Sequence, residues 1–163
     1  MNNVEKPNDY VNQEFEKVIS KIESQSRIFG LNKINIDTTC SVYLMMTEDE
    51  ISRLSPEELA LAEIRLSSYS FTLQQHSNKA NAIKNWANRC IRILLAKNWN
   101  AYDKYMPYDA RYDHMVSSNE YANRLGEVMS EQQILIDEFA YLAQATQHVS
   151  ESFGRLAKIR RKE

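Results

Sequence analysis

Between Glu57 and Met106 the chain contains neither glycine nor proline. It is opened by Ser55-Pro56-Glu57-Glu58, with serine at the capping position, proline at the first helical position and carboxylates in the first turn. A heptad then runs through the stretch. Leu59, Leu66, Leu73, Ala80, Ala87 and Leu94 share one position; Ala62, Tyr69, His76, Ile83 and Cys90 share the other, three residues on. Such a pattern predicts one continuous helix with a packing seam, reaching to about Tyr105, because Pro107 disfavours helix at Met106. At 1.5 Å per residue it would be about 70 Å long.

A second heptad begins near Tyr121. Tyr121, Val128, Leu135, Leu142, Val149 and Leu156 form one column; Leu125, Phe139 and Phe153 form the other, interrupted by Gln132 and Thr146. The two tracts are similar in length, and Tyr102–Met115, rich in tyrosine and holding Pro107, reads as the turn between them. An antiparallel hairpin with coiled-coil character is the economical arrangement. The chain has only three glycines and three prolines, so it has few turns and few, long elements. The fold class expected is all-α, with residues 1–54 as an N-terminal helix and irregular connector and residues 55–163 as the hairpin.

Within the first part, Met1–Asn8 reads as a frayed tail. Val11, Phe15, Val18, Ile19 and Ile22 predict a helix between Tyr10 and Phe29, ended by Gly30. Leu31–Met46 reads either as a short β-hairpin or as an extended segment. Thr47, with Glu50 three residues later, has the capping-box spacing and predicts a short helix through Leu54.

Several function classes lack their signatures. There is no glycine-rich phosphate loop, no recognised metal spacing and no Ser/Cys–His–acid order. The expectation is a non-enzyme without metal or cofactor. No run approaches the length of a membrane span, and the polar N-terminus does not read as a signal peptide. Cys40 and Cys90 have no pairing motif; Cys90 on the seam reads as a buried free thiol, which suits a reducing, cytoplasmic location. His76, also on the seam, reads as a core or interface histidine.

Net charge is −2 at pH 7, yet charge is unevenly spread. Seven bases lie between Arg65 and Lys104 against the single acid Asp103, while Asp37–Glu63 and Asp113–Glu151 are acidic. One reading is complementarity between paired helices. The other is nucleic acid: Lys79, Lys84, Arg89, Arg92, Lys97 and Lys104 are interleaved with Trp86, Trp99 and Tyr102, and unpaired bases stack on aromatics while cations meet phosphates. Trp86 also reads as a residue flanking the core. By helical angle these residues do not form one stripe. The basic tail from Arg155 reads as a solvated helix end or a further binding element.

From Leu59 to Ile159 the layout resembles the UvsY family of tailed-phage recombination mediators. The resemblance rests on LSSYSFTLQQHSNKANAIKNWANRCIRILLAKNWNAYDKY, the turn YDARYDHMVSSNEYANRL and the closing EFAYLAQATQHVSESFGRLAKIRRK. It implies a helical, non-enzymatic, ring-like homo-oligomer that binds single-stranded DNA. Such a protein would help load a recombinase onto DNA coated with single-strand-binding protein, in the cytoplasm of an infected host. Carried over, Lys79, Lys84, Arg89, Arg92, Lys97, Trp99 and Lys104 would meet DNA, and Phe139, Leu142, Val149, Phe153 and Leu156 on the terminal helix would make oligomer or partner contacts. The competing expectation is a helical structural or adaptor protein, such as a virion component or a polymerase-binding factor.

Overall fold

The computed structural model describes residues 13–21, 24 and 40–162. Among these the chain is helical, with no strand. Helix α1 covers residues 13–21. It is followed by α2 (Cys40–Leu44), α3 (Glu48–Ser52), α4 (Pro56–Lys97), a 3-10 turn (Trp99–Ala101), α5 (Tyr108–Ser118) and α6 (Glu120–Arg160). The long helices α4 and α6 pack against each other as a hairpin.

The helix starts follow the local chemistry of their caps. Ser55 N–H donates to Glu58 Oε2 at 2.7 Å and Glu58 N–H donates back to Ser55 Oγ at 3.2 Å. Thr47 and Glu50 form the same reciprocal pair at α3. Both boxes satisfy amide groups that the first helical turn leaves without partners. Asn119 starts α6, its Oδ1 accepting from Ala122 N–H at 2.9 Å.

Three expectations are corrected. The segment before Thr47 is not extended throughout: Cys40–Leu44 is a helical turn, and its upstream part, with the end expected near Gly30, lies outside the described residues. The first long helix ends at Lys97, not near Tyr105, where Asn98 Nδ2 turns back to the carbonyl of Leu94 at 2.9 Å. Tyr102–Met115 is more than a turn, because most of it belongs to α5, which begins directly after Pro107. Proline at a helix start has its φ pre-set and loses no helical hydrogen bond.

The described residues fall into two compact units, each containing a portion of both long helices. One comprises α1 and the chain from Lys79 to Ile136. Its core holds Ile83, Ala87, Ile91, Leu95, Met115 and Leu125, with Phe15, Ile19 and Trp86 packed against it. The other comprises α2, α3, α4 up to Asn78 and α6 from Asp137. Its core holds Cys40, Leu59, Ala62, Leu66, Phe153 and Ala157. There Arg160 Nη1 donates to the Leu54 carbonyl at 2.6 Å, tying the end of α6 to the chain after α3.

The seam itself departs from the heptad. Along α4 the buried positions begin as expected at Leu59, Ala62 and Leu66, then pass through Ser70, Ser77, Ile91 and Leu95 instead of Tyr69, His76, Cys90 and Leu94. From Leu59 to Leu95 the seam takes ten steps over 36 residues, 3.6 per step. A straight helix slips about 20° per heptad, which over five heptads amounts to one residue. Cys90 is consequently only half-buried, and His76 is exposed.

Along α6, Leu125 and Phe153 of the expected column are buried while Phe139 is half-buried, and the interrupting Gln132 and Thr146 are buried too. The other column is displaced by one residue for most of its length. Ala122, Ala143, Ser150 and Ala157 are buried, whereas Leu135 and Leu142 remain 36% and 39% exposed. Small residues at the seam let the backbones approach. Ser70 Oγ donates to the Ala143 carbonyl and Ser150 Oγ to the Glu63 carbonyl, each at 2.8 Å. A short hydroxyl reaches the other helix's backbone only when the axes run close, toward the lower end of the usual 8–10 Å spacing.

Candidate nucleic-acid interface

The seven residues expected to meet DNA all lie in the first unit. The structure sorts them. Lys84 is half-buried, and its Nζ donates to Gln133 Oε1 on α6. It also lines an open groove of about 490 Å³ with Tyr112, Asp113 and Met129. Lys79 is likewise half-buried and engaged with other residues. Both serve the protein's own packing.

Arg89, Arg92 and Lys97 are exposed, and among the described residues none of their side chains makes a hydrogen bond or ion pair. Arg89 and Arg92, three residues apart, share one side of α4. Lys97 ends that helix, where a cation complements the partial negative charge of the terminal carbonyls. Lys104 is exposed, its Nζ 4.7 Å from the centroid of the Tyr105 ring.

Trp99 opens the 3-10 turn and is 43% exposed. Beneath it lies Arg111 of α5, only 3% exposed, with its guanidinium carbon 3.9 Å from the Trp99 ring centroid. Arg111 Nη2 donates to the Asp103 carbonyl at 2.6 Å, while Nε has no partner among the described residues. Tyr108 lies 6.4 Å from Trp99, and Tyr112 a further 6.5 Å from Tyr108, centroid to centroid. Tyr108, Arg111 and Tyr112 are spaced i, i+3, i+4, which puts them on one side of α5. Tyr105 is 81% exposed. The Tyr112 hydroxyl bonds to Asn88 Oδ1 at 3.3 Å, and burial, then the neighbouring Tyr108, pushes its pKa above the ordinary tyrosine value.

Arg111, Tyr105, Tyr108 and Tyr112 were not singled out by the sequence reading, which treated this stretch as a turn. The available signal was Pro107 followed by a face of Tyr108, Arg111 and Tyr112, the mark of a helix start rather than a loop. Trp86 flanks the core as one reading had it, half-buried with its ring 6.3 Å from Phe15.

The residues expected to contact partners lie in the second unit. Phe153 is buried in that unit's core, 6.1 Å from the Tyr43 ring, and Val149 and Leu156 pack against the same core. Phe139 is half-buried and stacked on His76 at 5.3 Å. Leu142 alone of the five is exposed. Also exposed in this unit are Tyr141 on α6 and Ile64 and Phe71 on α4.

The ion pairs Arg124–Glu127, Arg124–Glu131 and Glu151–Arg155 each run along α6. Among the described residues no three His, Cys, Asp or Glu side chains converge as a metal site, and no helix is long and apolar enough to cross a membrane. Comparison of the chain with family models, with curated proteins and with solved structures finds no match. The first unit thus carries both exposed cations and exposed aromatic rings, a combination suited to a flexible polyanion carrying planar groups.

Proposed function

We propose that the protein binds single-stranded DNA through the first unit and acts as a recombination mediator, assisting a recombinase to load onto DNA coated with single-strand-binding protein. The observation that carries the binding proposal is the exposed set Arg89, Arg92 and Lys97, without side-chain hydrogen bonds or ion pairs among the described residues, together with exposed Lys104 at the Tyr105 ring, in the same unit as the exposed rings of Trp99, Tyr105 and Tyr108. Cations that face water without a protein partner are free to replace the counterions of a phosphate chain. The mediator role and assembly of copies rest on the resemblance of Leu59–Ile159 to the UvsY layout.

The test is fluorescence anisotropy with a labelled single-stranded oligonucleotide at two salt concentrations. Binding should weaken steeply with salt, and Arg89→Glu/Arg92→Glu/Lys97→Glu should abolish it with helicity unchanged. Lys84 is left out of the variant because its reversal would break the Gln133 contact. No binding at low salt would refute the proposal and favour the helical adaptor, whose partner is protein.

A further inference from the structure

We infer that Trp99, backed by Arg111, is a stacking platform for one unpaired base, so the site prefers exposed bases to the phosphate chain alone. This rests on the proposed single-stranded DNA binding and assigns a role within it. A solvent-facing tryptophan on a short turn would ordinarily have rotational freedom. Here the Arg111 guanidinium lies 3.9 Å from the ring centroid and is itself buried, so one face of the indole is occupied and its orientation is held. Arg111 is anchored through Nη2 on the Asp103 carbonyl, which belongs to the loop carrying Trp99 into α5. Stacked this way, the guanidinium stabilises the ring through the cation–π interaction.

Trp99 is nevertheless 43% exposed, and Tyr108, its ring tilted by 34° to the indole, is also exposed. A partly exposed ring held in place from one side loses little freedom when a base stacks on it, which lowers the cost of binding. Lys97 and Lys104, two residues before and five after Trp99, bracket it in sequence with exposed ammonium groups that can take the flanking phosphates. Arg111 touches Trp99 rather than the base, so it is a positioning residue. Burial of a cation without an acid partner costs free energy. The same ring contact and carbonyl bond that offset this cost are what orient the platform.

The experiment compares a thymidine oligonucleotide with one of equal length in which the central bases are replaced by abasic spacers. The protein is the full chain and its variants Trp99→Ala and Trp99→Phe. Trp99→Ala should weaken binding of the thymidine oligonucleotide on the order of tenfold, from the usual worth of a stacked base. Trp99→Phe should restore most of that loss, and neither variant should change binding of the abasic oligonucleotide by more than about twofold. In a Trp86→Phe background, Trp99 emission should be quenched by thymidine oligonucleotide and not by the abasic one. Equal losses on both oligonucleotides would overturn the inference while leaving phosphate binding intact. Absence of binding by the unaltered protein would overturn the underlying proposal and this inference with it.

Discussion

Replacing Ser150 by leucine tests the close approach of α4 and α6 in the second unit. Ser150 is 1% exposed; its hydroxyl donates to the Glu63 carbonyl at 2.8 Å and sits 2.8 Å from the Ser67 hydroxyl. Leucine removes both hydrogen bonds, worth about 1 kcal/mol each in net terms. It also forces extra methyl groups into a seam lined by small residues, where over-packing costs about 1–3 kcal/mol. The Glu63 carbonyl has a second lone pair but still loses a partner in a dry setting. A loss of about 3–4 kcal/mol is expected. Urea denaturation followed by circular dichroism would show the midpoint falling by about 2 M, for a denaturant slope near 2 kcal/mol/M. The neighbouring Val149→Ala is the control. Val149 is half-buried at the flank of the same core, so losing two methyl groups there should cost about 1 kcal/mol. If Val149→Ala proved the more damaging and Ser150→Leu harmless, the seam would run through Leu142, Val149 and Leu156, and the register described above would be wrong.

Acid should weaken the starts of α3 and α4. Hydrogen bonds from Thr47 and Ser55, backbone first, hold the Glu50 and Glu58 carboxyls below the ordinary value of 4.5. A carboxyl depressed in the folded state contributes stability above its unfolded pKa and loses it as pH falls through the lowered value. Melts between about pH 6 and pH 3 should therefore decline less steeply for Glu50→Gln/Glu58→Gln; an unchanged decline would count against this origin. Gly154→Ala should be neutral or stabilising by up to about 1 kcal/mol from helix propensity. The added Cβ would first meet the Glu63 carboxylate, which is the free end of a half-exposed side chain and can swing aside. A loss above about 1 kcal/mol in the same urea assay would show that Glu63 is held in place. Burial raises the Cys90 thiol above its ordinary pKa, and Cys40 is buried with its Sγ 3.5 Å from the Arg65 carbonyl. At pH 8, iodoacetamide should label Cys90 more slowly than a free thiol and Cys40 more slowly still, as read by mass spectrometry. Labelling of Cys40 at the rate of the urea-unfolded chain would refute its burial.

The residues proposed to bind DNA were legible by type and only partly by role. The sequence placed seven cations and aromatics in one stretch, but spacing alone could not separate Lys84, which meets Gln133, from Arg89 and Arg92, which face water. Whether a cation is free depends on residues some 50 positions away on α6. Arg111 was passed over for a related reason. A single arginine among tyrosines carries no signal until a helix start brings it beneath a ring twelve residues upstream.

By itself the sequence determined that this chain is helical, where α3 and α4 begin, and that two long helices pair. Those properties are set locally: by caps that satisfy the first amides, by the absence of glycine and proline, and by apolar periodicity. Tertiary structure decided which column of α6 faces α4. Pattern reading favours the bulkier residue, so it chose Leu142 and Val149 over Ala143 and Ser150. The packed helices favour the smaller one, because close axes bring hydroxyls to backbone carbonyls and leave the larger side chains to cover the edges of the contact.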